Sequence, residues 1–87
     1  MDNMLKVMHA AALAEECAEW IKSGMGKDWV EPNLKTLANM LPRKSRDQKI
    51  VLTILAGCRE NTPEWESNEL YRIRDELSEL RATLVDI

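Results

Sequence analysis

The sequence predicts an all-α fold, a compact bundle of about four helices that ends in a long C-terminal helix. Glycine and proline are scarce, with three of each in 87 residues, and phenylalanine is absent. Separate helix-start signals divide the chain, and apolar residues recur every three or four positions between them. The aliphatic composition favours helices over sheets. Because a chain this short builds only one hydrophobic core, we expect residues 1–87 to form a single helical domain.

The first helix is predicted from about residue 3 to residue 23. Asp2 or Asn3 caps it, and Gly24 stands where a helix commonly ends. The acidic residues Glu15, Glu16 and Glu19 are expected on the side that faces water. The opposite face is apolar and consists of Met4, Val7, Met8, Ala11, Ala14, Ala18 and Ile21.

Residues 24–31 are predicted to form a loop, which would place Trp29 outside any helix. Pro32 fits the first turn of a second helix, since its missing N–H is not needed there. Apolar residues continue at helical spacing to Leu41, and Pro42 ends the helix.

A third helix is predicted over residues 46–58, because Ser45 and Gln48 form a capping box. The run 50–56 is apolar almost all round, which predicts a helix at the centre of the bundle with Leu55 buried. By periodicity alone this run could also be a buried strand. The capping box and the absence of a partner strand favour the helix.

A fourth helix is predicted over residues 63–85, from the start signal of Thr62, Pro63 and Glu64. It carries apolar residues that alternate by three and four positions, the spacing of a heptad seam. This seam either packs on the first and third helices of the same chain, or forms a homodimer interface, or does both. The residues of this leucine seam are Leu70, Ile73, Leu77, Leu80 and Leu84, with Ile87 continuing the spacing.

The cysteines and the N-terminus predict a cytoplasmic protein. Cys17 and Cys58 lie in otherwise apolar helical stretches and share no motif spacing, which indicates buried thiols in a reducing compartment, with a disulfide as the minor alternative. Asp2, Lys6 and His9 interrupt the N-terminal apolar run, unlike a signal peptide. No apolar stretch approaches the ~20 residues that a membrane span needs, so we expect no membrane association.

Charge is distributed unevenly along the chain, although the net charge is only −3. Residues 1–31 carry three lysines against six acidic residues, and residues 60–87 carry three arginines against eight. Residues 32–59 carry six basic residues against one aspartate. Five of these six basic residues lie in or near the turn between the second and third helices: Lys35, Arg43, Lys44, Arg46 and Lys49.

Two interpretations of this basic turn, residues 43–49, follow from the sequence. It either faces the acidic last helix or water, or it contacts nucleic-acid phosphates. A helix-turn-helix reader of DNA bases is disfavoured, because Pro42 stands where that motif usually has glycine and the third helix is too apolar. Nucleic acid is therefore the less expected partner.

The pattern Glu15-Glu16-Cys17-Ala18-Glu19 places carboxylates one helical turn apart, a geometry that can hold Mg²⁺. It resembles the first acidic motif, Glu-Glu-x-x-Glu, of the all-α nucleoside-triphosphate pyrophosphohydrolases. That resemblance implies a Mg²⁺-dependent helical bundle with Glu15, Glu16 and Glu19 as metal ligands. The family's second motif, Glu-x-x-Asp on a later helix, is absent. Its partial substitutes are Glu66 with Glu69 and Glu76 with Glu79.

Other site chemistry is excluded by residue counts and spacing. His9 is the only histidine, so one chain cannot build a histidine-based zinc site or a catalytic triad. Gly24-Met25-Gly26-Lys27 lacks the length and the preceding strand of a phosphate-binding loop. We therefore predict no catalytic residues, no metal and no cofactor.

By elimination, the sequence favours a protein-binding module, a small regulator or inhibitor of another macromolecule. In size and composition it is similar to inhibitors carried by phages and mobile elements, including anti-CRISPR proteins. Tryptophan and arginine are common at the energetic centres of interfaces. The predicted partner-binding residues are Trp29, Trp65, Arg43, Lys44 and Arg46. A nucleic-acid-binding regulator and a Mg²⁺ pyrophosphohydrolase are the alternatives, in that order.

Overall fold

A computed structural model describes residues 2–24, 27–57 and 62–85, and these contain four helices and no strand. This confirms the predicted all-α bundle and its long C-terminal helix. The helices are α1 (Asp2–Lys22), α2 (Lys27–Met40), α3 (Arg46–Ala56) and α4 (Pro63–Val85).

The helices occupy the four corners of a square in chain order and alternate in direction. The backbone of α1 lies next to α2 and α4, and that of α3 next to the same two helices, whereas the α1–α3 and α2–α4 backbones are not adjacent in the described chain. The side chain of Gln48 at the start of α3 donates a hydrogen bond to the Ala38 carbonyl near the end of α2, at 2.9 Å. Arg74 of α4 bonds Glu15 of α1 at 3.2 Å, which sets the register of that antiparallel pair.

The core is aliphatic, as its composition predicts, and α1 with α4 forms the most extensive pair. Alanines on α1 leave little side chain between the helices, so the backbones approach closely. The buried apolar residues are Ala10, Leu13, Ala14, Cys17, Ala18, Ile21, Val30, Leu34, Leu37, Ala38, Leu41, Val51, Ile54, Leu70 and Ile73.

Local capping follows the sequence signals. The Ser45 hydroxyl accepts the Gln48 N–H at 3.2 Å, while the Gln48 side chain accepts the N–H of Lys44 at 2.8 Å. The Thr62 hydroxyl accepts the Trp65 N–H at 3.1 Å at the start of α4. Gly57 ends α3 with φ +72°, a left-handed conformation that favours glycine, so α3 ends at Ala56 rather than at residue 58.

The predicted start of the second helix is wrong. α2 begins at Lys27, five residues before Pro32, so most of the predicted loop is helical. Val30 and Leu34, one turn apart, are both fully buried, and Asp28 lies in the first turn, where an acid complements the helix dipole. Burial of this apolar edge outweighs the cost of a proline within the helix.

The predicted central position of the third helix is also wrong. α3 is the shortest helix and one corner of the square, so only part of its surface is covered. Val51 and Ile54 are buried, Leu55 is half-buried, and Leu52 is 47% exposed. An apolar composition all round therefore did not indicate burial all round.

α1 and α4 are longer than the α2–α3 layer that covers them. Among the side chains that the structure describes, full burial in α1 begins at Ala10 and full burial in α4 ends at Ile73, whereas Met4, Val7 and Leu77 are half-buried. Beyond Ala10 and Ile73 the two helices continue together as a two-helix projection, which we call the open end. The elongated shape, 42 × 25 × 19 Å, reflects this mismatch.

Within residues 2–24, 27–57 and 62–85, no helix combines the length and the apolar character that crossing a membrane requires.

Candidate functional site

The structure does not bring the predicted partner-binding residues together. Trp29 and Trp65 lie at the starts of α2 and α4, at the same end of the bundle but on diagonally opposite helices. The basic turn lies at the other end of α2. A helix of 14 residues is about 20 Å long, so one small interface would not hold all of these residues.

Trp29 is the most exposed large apolar side chain among the described residues, at 72%. Its neighbour Val30 is fully buried, and successive residues of a helix are rotated by about 100°, so the indole is directed away from the core. Tryptophan is highly buried on average, which makes this exposure unusual. Trp29 is the third residue of α2, so it projects from a helix and not from the predicted loop.

Trp65 is less available, at 38% exposed. Its backbone N–H is bound by the Thr62 hydroxyl, and the residues that follow it, Glu66 and Ser67, are buried. Trp65 therefore offers a smaller exposed area than Trp29.

The four cations of the basic turn are exposed to water: Arg43, Lys44, Arg46 and Lys49. Among the described residues, no carboxylate lies within ion-pair distance of their side chains, whereas Lys35 pairs with Glu31 of its own helix at 3.3 Å. The turn's link to the acidic last helix instead runs through Asp47, which binds Arg72 of α4 at 3.2 Å. The cations are thus not neutralised by direct contact with α4.

Arg72 forms a charged cluster that joins α3 to α4. It binds Glu69 at 2.8 Å and Glu76 at 2.6 Å in addition to Asp47. Partial burial disfavours the charged guanidinium, but the hydrogen bonds that it donates to Glu69 and Asp47 raise the pKa of Arg72 above its usual value. The pKa of Glu76 is raised chiefly by a hydrogen bond with Asp47 and then by burial, against the lowering effect of Arg72.

The three carboxylates of the Glu-Glu-x-x-Glu motif differ in burial and in hydrogen bonding. Glu15 is half-buried and accepts a hydrogen bond from Arg74, which also binds Asp75 and lies 5.0 Å from the Tyr71 ring centre. Glu16 and Glu19 are exposed. Residues 2–24, 27–57 and 62–85 hold no group of three or more His, Cys, Asp or Glu side chains arranged to bind a metal ion.

Cys17 is buried in the core as a free thiol. Burial, and then the nearby charge of Glu16, raise the pKa of the Cys17 thiol to about 12. A thiol protonated at neutral pH is a poor nucleophile, so Cys17 is a core residue. Cys58, Met25 and Gly26 lie outside the described residues.

The leucine seam divides at the edge of the α2–α3 layer. Leu70 and Ile73 are fully buried in the chain's own core, so their predicted place in a dimer interface is corrected. Leu77 is half-buried, and Leu80 is 47% exposed on the open end. The side chain of Leu84 and the residue Ile87 lie outside the described set.

An open cleft of about 400 Å³ between the end of α1 and the start of α4 was not predicted from the sequence. It contains both Lys22 and Glu64, so its walls favour neither sign of ligand charge. The lining residues are Lys22, Pro63, Glu64, Ser67, Asn68 and Tyr71.

No family model, no curated protein and no solved structure matches the chain. The surfaces described above therefore carry the functional argument.

Proposed function

We propose that this protein is a non-enzymatic protein-binding module, a small regulator or inhibitor that anchors its partner on Trp29. The observation that carries the proposal is the 72% exposure of an indole that projects from a helix. Tryptophan is enriched among residues that dominate binding energy. A side chain on an ordered backbone also loses less conformational entropy when it binds than one on a flexible loop.

Two groups that an enzyme could use, a thiol and a carboxylate, have structural roles here, which supports this proposal. Cys17 is buried and protonated, and Glu15 is bound to Arg74. A free, buried thiol suits the reducing cytoplasm, which we propose as the compartment. Inhibitors of the kind carried by phages and mobile elements are the class we propose, on the grounds of size and composition.

The test is binding by Trp29→Ala against a matched exposed control, Leu52→Ala. A tagged wild-type chain is used to recover partners from the source cells, and a recovered partner is then purified and titrated with each variant. We expect Trp29→Ala to weaken binding by about 30-fold or more, the effect of a residue worth ~2 kcal/mol. Leu52→Ala should bind like the wild type. Equal affinities for both variants would place the contact elsewhere.

The basic turn supports a second candidate, contact with nucleic-acid phosphates, because its four cations are exposed without a described carboxylate partner. We rank it second because the chain as a whole is acidic, with a net charge of −3. A second copy of the chain is the partner we propose for a separate surface, the open end.

A further inference from the structure

The open end carries Leu80, which continues the buried stripe of α4 but lacks cover. Leu80 is seven residues after the fully buried Ile73, so both lie on the same side of the helix. Leu80 is nevertheless 47% exposed, because the shorter α2–α3 layer does not reach it. On α1, Lys6 continues the line of the buried Ala10 and Leu13 and is exposed too.

We propose that a second copy of this chain covers the open end, with the two open ends packed antiparallel about a twofold axis near Leu80. The α2–α3 layer forms a step on the α1–α4 pair, one helix diameter or about 10 Å deep. The projecting α1–α4 pair is itself one helix thick. Each open end can therefore fill the step of the other copy, and together they form a four-helix arrangement with Leu80 at its centre.

The area fits a weak, specific dimer. The open end is about 12–18 Å long, from the 1.5 Å rise of a helix, and two packed helices are about 20 Å wide. Such a face provides on the order of 500 Å² of accessible surface per copy. Two copies together reach ~1,000 Å², the lower limit for specific interfaces, so we expect dissociation in the micromolar range.

Charge complementarity supports a second copy as the occupant. The Glu15–Arg74 contact sets the register of α1 against α4, which places Lys6 beside about residue 83 of α4. A twofold axis near Leu80 then places Lys6 of one copy beside about residue 76 of α4 in the other copy. Glu76 lies three residues after Ile73 on the same side of α4, and its side chain, which also binds Arg72 at 2.6 Å, is half exposed. Lys6 of each copy then meets Glu76 of the other.

The dimer is tested by sedimentation of the wild type, Leu80→Ser and Leu52→Ser between about 5 and 500 μM, a range that brackets a micromolar dissociation constant. Leu52 is a matched control, because it has the same 47% exposure but lies on α3. We expect a concentration-dependent dimer for the wild type and Leu52→Ser, and at least about tenfold weaker association for Leu80→Ser. A wild type that stays monomeric throughout, or equal effects of the two serine changes, would overturn the proposal.

A charge exchange tests the predicted pairing and does not depend on the core. Lys6→Glu and Glu76→Lys should each weaken the dimer, and the two changes in one chain should restore it. Circular dichroism checks that each variant is folded. If Leu80→Ser loses helical structure, the sedimentation of Lys6→Glu decides whether the dimer forms as proposed. Additive weakening in the double variant would contradict the pairing. Trp29 lies at the opposite end of the bundle, so loss of the dimer would leave the Trp29 proposal intact.

Discussion

At the scale of single residues, neighbours in the sequence that share a chemical type differ in how far they are buried. Ile54 and Leu55 are adjacent aliphatic residues on α3, yet Ile54 is fully buried and Leu55 only in part. The same holds for Val30 and Trp29 on α2. Successive side chains point in different directions around a helix, so the packing of neighbouring helices determines which one leaves water.

We predict that Ile54→Asp unfolds the protein, whereas Leu55→Asp leaves a cooperative transition at lower temperature. A buried carboxylate without a partner costs several kcal/mol, comparable to the ~5 kcal/mol of a marginally stable domain. The half-buried position 55 lets a carboxylate reach water. Thermal unfolding followed by circular dichroism measures both. A folded Ile54→Asp variant would show that α3 contributes little to the core.

At the scale of helices, α2 contains a proline at its sixth position, Pro32. Proline has no N–H, so the carbonyl of Asp28 one turn earlier loses its intrahelical hydrogen bond. The helix tolerates this because Val30 and Leu34 are buried on its inner side while Pro32 is exposed.

We predict that Pro32→Ala stabilises the protein by about 1–2 kcal/mol. Alanine restores the hydrogen bond and has a helix propensity about 3 kcal/mol better than proline, less roughly 1 kcal/mol for the added freedom of the unfolded chain. Urea unfolding provides the measurement, with Asn39→Ala at another exposed position of α2 as control. No gain in stability would mean that the helix begins at Pro32, as the sequence alone predicted.

The cluster around Arg72 joins α3 to α4, the pair with the least contact of the four adjacent pairs. Its hydrogen bond with Asp47 and its burial raise the pKa of Glu76 above the usual 4.5. The folded protein therefore holds this proton at a higher pH than the unfolded chain does. Protonation of Glu76 thus stabilises the fold as the pH falls, and this contribution is lost as the pH rises through the folded-state value.

We predict that Glu76→Gln removes this contribution. Between pH 7 and about pH 4.5, the wild type should gain stability relative to Glu76→Gln, because only the wild type takes up the proton. Urea unfolding at both pH values measures the difference, at a concentration low enough to keep the chain monomeric. Parallel pH profiles would contradict the raised pKa.

At the scale of the whole molecule, the basic turn lies at one end of the bundle, whereas acidic residues extend along α4. The basic turn lies where the α2–α3 layer stops, and the acidic residues of α4 are engaged mainly by Arg72 and Arg74. A bundle this narrow keeps each helix within about 10 Å of another, roughly one Debye length at physiological salt. The acidic helices thus weaken the field of the turn at a distance, although they do not contact its cations.

We predict no stable complex with duplex DNA, single strands or structured RNA in a mobility-shift titration at ~150 mM salt. Arg43→Glu with Lys44→Glu should behave like the wild type in this titration. The matched control is Lys6→Glu with Lys22→Glu, which changes the charge by the same amount at exposed positions outside the turn. Micromolar binding that the turn variant alone loses would favour the nucleic-acid function over the protein partner.

The sequence by itself determined the fold class and most helix boundaries, because those depend on local chemistry. Ser45 with Gln48 and Thr62 with Pro63 satisfy backbone groups within a few residues of themselves, so their effect is readable without the rest of the chain. The spacing of Leu70 and Ile73 likewise predicted a buried stripe. The buried state of Cys17 was predicted from its apolar surroundings.

Only the tertiary structure decided what depends on the relative lengths and positions of helices. The start of α2 lies before Pro32 because the core accepts Val30, and Leu55 is half-buried because α3 occupies a corner. Leu80 is exposed although Ile73 is buried, because the helices that would cover it are shorter than α4. Periodicity shows which side of a helix is apolar, and the length of its neighbours sets how much of that side leaves water.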